Sequence, residues 1–442
     1  MSIQLSDHFN YSRLLKFCFA PIVMMVFTSI YSVVDGFFVS NWAGKTPFAA
    51  INLIYPFIMI LGGVGFMLGA GGSALVGKTL GEGDNDRANR YFTMMVMAIV
   101  AAGVILSVLG ILFLRPIALA LGATAEMVDD CVLYGRIVLA FNTMFMLQNL
   151  FQTFLTTAQK PHLGLLATVC AGVTNMVLDA LFVAGFRWGI AGAALATGIS
   201  QTVGGVLPLI YFLRPNDSIL RLRFTKMEFK PLLQACTNGA SEMMSSISGS
   251  VVSMLFNFQL MRLAGEDGVA AYGVLMYVNF IFLAIFIGYT IGTAPIISYH
   301  YGAENSAEVK NILQKSLRLM AGVGVAMTLL AWLLASPLAH IFVGYDAELM
   351  EMTRRAFHIC SFMFLVAGIN IFGSSFFTAL NNGLISAVIS FLRGLVFQCL
   401  SVLILPIFLK LDGVWLAVVV ADVCSFCVTS AFLLAKRKKY GY

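Results

Sequence analysis

The chain has 442 residues, of which 60% are hydrophobic and 11% are charged, and its mean hydropathy is +0.90. Soluble domains carry about 25% charged residues, so this composition excludes a soluble globular protein and indicates a polytopic membrane protein. The formal net charge of +6 does not indicate nucleic-acid binding, because the basic residues cluster in the segments between apolar runs.

About twelve apolar stretches are long enough to cross a bilayer. Continuous runs of this length are typical of helices, whereas the strands of a membrane barrel alternate over about ten residues. The first run contains Pro21 and Asp35 and is too long for a signal peptide, so we expect it to remain in the protein. We predict spans at 13–39, 51–77, 91–114, 131–158, 163–186, 190–213, 232–262, 270–298, 312–335, 355–380, 384–409 and 413–435.

The first span carries a carboxylate. In YSVVDGFFVS, residues 31–40, Asp35 is the one charged residue between Phe17 and Val39. On insertion scales a mid-membrane Asp costs about 2.5–3.5 kcal/mol, and residues of this kind usually mark an ion or substrate pathway. The sequence therefore predicts a functional role for Asp35.

The fifth and sixth spans add three more oxygen-bearing side chains. Asn175 and Asp179 are four residues apart and share one helix face, and Thr197 lies on the sixth span. Hard cations prefer oxygen ligands, and two carboxylates in a poorly solvated pocket tend to share a proton. A site that suits either Na⁺ or H⁺ is therefore predicted at Asp35, Asn175, Asp179 and Thr197. The alternative is that the two acids only satisfy polar groups between helices.

Other polar residues are candidates to line a substrate cavity. Tyr31 lies one turn before Asp35, and Asn149 and Gln152 are three residues apart on the fourth span, where they line a cavity or bond a neighbouring helix. Glu242 begins the seventh span and is a candidate second ionisable site, as is Asp422 on the last span.

The eight cysteines are scattered and nearly all lie inside spans. We interpret them as packing residues rather than redox centres or metal ligands. We expect no cofactor and no bound metal beyond a possible Na⁺ at the four residues named above.

The loops indicate the orientation. If the N-terminus is inside, 18 of the 27 basic residues lie in cytoplasmic segments and seven outside, while Arg136 and Arg393 fall within spans. The excess predicts that both termini are cytoplasmic. We expect the membrane to be the cytoplasmic membrane of a bacterium or archaeon. We expect a monomer in the lipid bilayer, with small organic molecules and no nucleic acid as partners.

The chain repeats itself at a constant offset of half its length. Gly44 and Gly265, Gly81 and Gly302, and several further pairs coincide at this offset, at equivalent helix ends: Ala49–Ala270, Gly71–Gly292, Gly103–Gly324, Pro116–Pro337, Asn149–Asn370 and Gly192–Gly413. Six spans per copy is an even number, so the copies are parallel repeats. We predict an all-α membrane protein of twelve helices, with an N-lobe at 1–213, a cytoplasmic linker at 214–231 and a C-lobe at 232–442.

Several segments of the chain are distinctive when taken together. They are YSVVDGFFVS, AGKTPFAAINLIYP, GAGGSALVGKTLGEGDNDRANR, NLFQTFLTTAQKP and GIAGAALATGISQ in the first half, and AGEDGVAAYGVLMYV and IGTAPIISYHYGAEN in the second. With these segments the chain resembles the multidrug and toxic compound extrusion (MATE) family, in its DinF-like branch. The resemblance covers essentially the whole chain. It implies two six-helix bundles that export organic, often cationic compounds in exchange for H⁺ or Na⁺.

The resemblance also implies a site. In the DinF-like branch an Asp on helix 1, an Asn and an Asp on helix 5 and a Thr on helix 6 form an N-lobe cation site, and here they match Asp35, Asn175, Asp179 and Thr197. One departure concerns the C-lobe. Another branch of the family uses an Asp on helix 10, and the nearest polar candidate in that region of this chain is Asn370. This departure leaves Glu242 without an acidic partner.

Two other functions remain alternatives to an ion-coupled antiporter. A lipid or lipid-linked oligosaccharide flippase of the same superfamily tends to need a cationic cavity, and Arg136 and Arg393 are the mid-span cations available. A membrane-embedded transferase needs a paired-acid metal motif or a His–acid constellation, and the five histidines show no such spacing.

Overall fold

A computed structural model describes residues 3–442, and within them it contains helices and turns but no strand. Among these residues, nine continuous helices and one bent pair are long and apolar enough to cross a membrane. Two of the nine, Ala240–Gly302 and Gly383–Tyr440, break at Gly265 and Lys410 and so supply two spans each. The described residues therefore contain twelve spans, which confirms the all-helical fold predicted from the sequence.

The spans are numbered α1 to α12 in chain order. They are α1 (Tyr11–Ala43), α2 (Thr46–Gly81), α3 (Asn85–Ala120), α4 (Val128–Ala140 and Asn142–Thr157, bent by 52°), α5 (Pro161–Gly185), α6 (Gly189–Leu213), α7 (240–264), α8 (266–302), α9 (Ser306–Val343), α10 (Ala347–Ala379), α11 (383–409) and α12 (411–440). A short helix, Phe229–Asn238, precedes α7.

Several helices extend past the predicted spans by as much as two turns. Hydropathy marks the part of a helix that lipid surrounds, whereas the backbone hydrogen bonds continue until a capping residue ends them. Asp84 accepts a hydrogen bond from the Arg87 amide at the start of α3, and Asn305 accepts one from the Glu308 amide at the start of α9. These two caps are themselves related by the offset of half the chain length.

The backbone carries the internal repeat as well. Left-handed residues occur in pairs at equivalent turns: Gly44–Gly265, Gly83–Glu304, Gln159–Asn381 and Gly189–Lys410. Three of these pairs have the offset found in the sequence, and the pair Gln159–Asn381 is longer by a single residue. Glycine adopts this conformation freely, whereas other residue types adopt it at a steric cost. The two copies therefore have the same turn conformation even where the residue type at the turn differs.

The two halves pack tightly on the side where both termini lie. The segment before α1 contacts Glu308, and Gly441 contacts Ser306 at the same turn. On this side α2 crosses α8 at Gly81 and Gly302, where an added Cβ would overlap the Tyr299 and Lys78 carbonyl oxygens respectively. Glycine is required here because the two backbones approach each other directly.

The segment between α6 and the short helix runs along α3 in extended form. The Arg221 amide donates to Asn89 Oδ1 at 2.8 Å, and the Arg223 amide donates to Thr93 Oγ1 at 2.9 Å. Lys160 lies 2.8 Å from Asp217 and lowers the pKa of that carboxyl below its usual value. These contacts hold the segment against the first half of the chain.

Candidate functional site

The two intramembrane acids of the first half come together. The Asp35 and Asp179 carboxyl groups, on helices α1 and α5, lie close enough for their charges to interact. Each acid is followed by a π-helical turn, Val39–Ala43 one turn after Asp35 and Ala180–Gly185 directly after Asp179. Such wide turns interrupt the regular helical hydrogen bonds and are frequent at functional sites.

The oxygens of this cluster are buried without donors. Asp35 Oδ1, Asn175 Oδ1 and both carboxylate oxygens of Asp179 have no hydrogen-bond partner among the described residues. Asp179 is 0% exposed and Asn175 is 2% exposed. Buried polar atoms are nearly always paired, and a buried charge is costly unless it is compensated. Four such oxygens in one place fit a proton or a small hard cation.

Thr197 contributes less than the sequence indicates. It is half-buried on α6, which packs along α5. Its backbone carbonyl accepts a hydrogen bond from Ser200, and among the described residues no hydrogen bond joins its hydroxyl to the two acids. Its role as an ion ligand stays a prediction.

Four tyrosines surround Asp35 within electrostatic range: Tyr31, Tyr55, Tyr134 and Tyr277. The Tyr31 hydroxyl lies near the side chain of Gln148. Tyr277 belongs to α8 of the other half, and its hydroxyl would lie 3.5 Å from a Cβ on Gly36. Aromatic rings beside a carboxylate attract organic cations through their faces.

Sequence reasoning missed Tyr277 and Gln148. Neither is charged, so neither stands out in an apolar run. Asn149 and Gln152, which it did select, are buried on α4, and Gln152 donates to Thr168 Oγ1 at 3.3 Å. Gln152 therefore bonds a neighbouring helix, which was one of its two predicted roles, while Asn149 Nδ2 has no partner among the described residues.

A cavity of about 310 Å³ separates the two halves on the side opposite the termini. Its walls come from the start of α2, from Met127 and from one face of α7: Ala49, Asn52, Leu53, Pro56, Ser250, Ser253, Met254 and Asn257. Glu242 shares that face of α7, two turns nearer the termini. Its carboxylate is half-buried and forms no ion pair within residues 3–442.

The second half contains a different polar centre. Asp422, 1% exposed, pairs with Arg393 through a 2.8 Å contact to Nε. Asn370 Nδ2 donates to the Asp422 carbonyl at 2.9 Å. Arg393 is thus neutralised, and Arg136 is exposed on α4. Within residues 3–442 no cluster of His, Cys, Asp and Glu side chains has the composition of a transition-metal site.

Comparison with known proteins decides the family. The MatE family model matches residues 21–181 and again residues 243–403. The two matches are equal in length, and their offset agrees to within a single residue with the repeat seen in the sequence.

The chain belongs to the MatE family.

Individual relatives and structures agree with that family. The chain is 22% identical over 436 residues to the multidrug export protein MepA of Staphylococcus saprophyticus, covering 97% of this chain and 94% of the relative. It is 22% identical over 428 residues to MepA of Staphylococcus aureus strain MRSA252, covering 96% and 93%.

Solved structures share the fold. A crystal structure of MATE in complex with MaL6 superposes with a TM-score of 0.92 at 20% identity, covering 97% of this chain and 96% of the other. An outward-facing multidrug resistance MATE transporter of the MOP superfamily superposes with a TM-score of 0.91 at 20% identity and the same coverage. MatE membership confirms the prediction of a transporter rather than an enzyme.

Proposed function

We propose that this MatE protein exports small organic, amphipathic cations in exchange for an inward-moving Na⁺ or H⁺. The observation that carries the proposal is the group of buried oxygens of Asp35, Asn175 and Asp179 that have no donors among the described residues. A site of this composition is stable when a cation or proton occupies it and unstable when it is empty. The multidrug export function of the MepA relatives supports the same conclusion.

Alternating access is supported by the asymmetry of the cleft. The halves meet closely at Gly81 and Gly302 on the termini side, and a cavity opens on the other side. We propose that the lobes are residues 1–213 and 232–442, that 214–231 links them, and that both termini face the cytoplasm of a bacterial or archaeal cell. The chain then has its cavity open to the outside.

The transport cycle follows from competition for the acids. An ion enters from outside and neutralises the Asp35–Asp179 pair, and the loss of charge lets α1 repack near Pro21, where a backbone hydrogen bond is missing. Moving one charge inward supplies about 2.3 kcal/mol per 100 mV. The lobes then turn the site towards the cytoplasm, where the ion leaves. A cationic substrate binds among the tyrosines, the vacated acids and Glu242, and the lobes return it to the outer side.

The flippase alternative is weaker because, among the described residues, the cavity lacks a free cation to hold an anionic head group. Arg393 is paired with Asp422, and Arg136 lies at the exposed surface of α4. The described residues that line the cavity are apolar or carry uncharged amide and hydroxyl groups.

The proposal is tested by dye export from proteoliposomes under an imposed Na⁺ gradient or an imposed pH gradient. Ethidium serves as the probe, with wild type, Asp35→Asn and the control Asp129→Asn, whose carboxylate is 78% exposed and pairs with Arg115. We expect one gradient to drive wild type and Asp129→Asn, and neither to drive Asp35→Asn. Full gradient-driven export by Asp35→Asn would refute the proposal.

A further inference from the structure

The segment between α6 and α7 carries large apolar side chains that the protein leaves uncovered. Phe224 is 101% exposed and Phe229 is 77% exposed, and Met227 and Leu233 are each about half exposed. Large apolar side chains that are exposed so close together mark a surface that another molecule covers. The depth of the segment in the membrane decides whether lipid or a protein is that cover.

Contacts with α3 fix this depth. The Arg223 amide donates to Thr93 Oγ1, and the Glu228 amide donates to Met94 Sδ at 3.4 Å. The exposed apolar face of α3 begins about one turn further along the helix. Its first residues are Met97, Val100, Val104, Ile105 and Val108. The segment therefore lies at the boundary between the lipid headgroups and the hydrocarbon on the termini side.

The short helix before α7 presents an apolar edge at the same boundary. Ala235 is buried against α2, where a Cβ on Gly71 would overlap the Ala235 carbonyl oxygen. Gly71 lies within the predicted second span, 51–77, so the short helix reaches membrane depth. Phe229 and Leu233 are four residues apart on the face that points away from the protein, and both are exposed.

Basic side chains alternate with these apolar ones. Four of them are exposed: Arg221, Arg223, Lys226 and Lys230. Glu228 is the one acid in residues 221–233. Arg223 pairs with Asp86, whereas within residues 3–442 the other three form no ion pair. Unpaired cations beside exposed aromatic rings are typical of an interfacial segment that binds anionic lipid headgroups.

The equivalent segment of the other copy buries its apolar residues instead. At the offset of half the chain length, residues 224–231 correspond to 3–10, which pack against α9 as the linker packs against α3. Leu5 and Phe9 are fully buried there, and lysines occupy their places in the linker. The exposed apolar patch is therefore not a necessary consequence of how this fold packs a segment at this position.

We propose that residues 221–233, the linker surface, bind anionic phospholipid headgroups of the leaflet on the termini side. Phe224 and Phe229 insert among the acyl chains next to the headgroups, and Arg221, Lys226 and Lys230 bind the lipid phosphates. Because the linker surface connects α6 to α7, bound lipids hold the connection between the two halves at the bilayer surface. This inference does not depend on which compound or ion the protein transports.

A fluorescent reporter tests the depth of the linker surface. A dansyl amino acid is incorporated genetically in place of Phe224 in the full chain, in phosphatidylcholine vesicles that contain lipid with a nitroxide quencher near the top of the acyl chain. The control carries the same reporter in place of Ala303, an exposed residue in the turn between α8 and α9 on the same side. We expect quenching at 224 to be about threefold stronger or more.

A linker surface that docks a soluble protein instead would leave its reporter in water. Quenching at 224 that is no stronger than at 303 would therefore overturn the proposal.

The headgroup preference is tested at the 224 reporter with nitroxide-labelled phosphatidylglycerol and nitroxide-labelled phosphatidylcholine, each as a minor component of phosphatidylcholine vesicles. We expect phosphatidylglycerol to quench more strongly, and this advantage to shrink at high salt. In Lys226→Gln/Lys230→Gln the advantage should fall about threefold or more.

The matched control for the headgroup test is Lys310→Gln/Lys438→Gln, which removes two exposed lysines on the same side of the other half. It should keep the full preference for phosphatidylglycerol. Equal quenching by the two lipids without any lysine substitution, or an equal loss of preference in the two double variants, would overturn the proposal.

Discussion

The acids of the N-lobe differ from the acid of the C-lobe in what surrounds them. Asp35 and Asp179 face each other and an amide oxygen, with no cation in contact among the described residues, whereas Asp422 is bound to Arg393. Two carboxylates that face each other without a neighbouring cation need an exchangeable positive charge. A carboxylate that is bound to an arginine does not need one. This contrast supports placing the coupling ion in the N-lobe.

At the same scale, the tyrosines around Asp35 predict recognition of cations. Tyr277→Leu removes a ring face next to the acid, so we expect ethidium to bind about 2- to 20-fold more weakly, whereas Tyr277→Phe keeps the ring and most of the affinity. Equilibrium binding by dye fluorescence measures both. Tyr345→Leu, at a loop tyrosine that is 83% exposed, is the control. Equal affinity in Tyr277→Leu and Tyr345→Leu would contradict the assignment.

Sequence reasoning found the two acids of the site and the amide one turn from Asp179, and it missed neutral groups that lie around them. A carboxylate in an apolar run is conspicuous because its insertion is costly, so Asp35, Asn175 and Asp179 could be selected from one sequence. Gln148 and Tyr277 are tolerated in many membrane helices, and Tyr277 reaches Asp35 only because the two lobes pack together. Thr197 was selected by the same reasoning, but its hydroxyl makes no contact that supports the selection among the described residues.

At the scale of helices, the crossing of α2 and α8 depends on two glycines. Gly302→Val adds atoms where the Lys78 carbonyl oxygen lies, so the termini side closes less completely. We expect Gly302→Val to shift the protein towards the state open on that side and to lower ethidium export about tenfold. Distances between spin labels on Thr237 and Asn85 report the opening.

The control for this crossing is Gly322→Val, on α9, where an added Cβ meets nothing within 4 Å. Unchanged label distances in Gly302→Val, with normal export, would show that the crossing does not set the conformation.

The segment before α1 is a second element held by specific contacts. Glu308 accepts hydrogen bonds from the Phe9 amide at 2.9 Å and pairs with His8 at 2.7 Å, while Lys315 donates to the Phe9 carbonyl at 2.8 Å. Glu308→Ala leaves the buried Phe9 amide without its acceptor. We expect a loss of about 1–3 kcal/mol in the free energy of unfolding, visible as a lower melting temperature.

The matched control is Glu351→Ala, which removes an exposed carboxylate paired with Arg354 three residues away. Surface pairs of this kind contribute little, so its melting temperature should equal that of wild type. Equal melting temperatures for Glu308→Ala and wild type would mean that the segment does not stabilise the fold.

Helix ends were less predictable than helix centres. Hydropathy located every span, but it placed the start of α9 at residue 312, whereas the helix begins at Ser306 behind its Asn305 cap. The seventh span was predicted as one run from 232 to 262, and the chain instead bends at Gly239 between the short helix and α7. Mean hydropathy over a window of residues does not detect polar caps or glycine bends, because these are local features of the backbone.

For the whole molecule, the internal repeat was the most informative feature of the sequence. An offset of half the chain length predicted two parallel copies, and the family model matches twice at an offset longer by a single residue. In the structure, one pair of left-handed turns, Gln159 and Asn381 before α5 and α11, is likewise a single residue further apart than the other pairs. The cleft and its open side could not be predicted, because they depend on how the two copies pack.

The central claim is that the coupling ion and the exported cation compete for Asp35 and Asp179. The most direct measurement is ion release when ethidium is added to the purified protein, read as displaced radioactive Na⁺ in one experiment and as released protons in weakly buffered solution in another. Wild type should release one of the two ions as ethidium binds, and Asp35→Asn/Asp179→Asn should release neither. Release of the same ion, in the same amount, from the double variant would contradict the account.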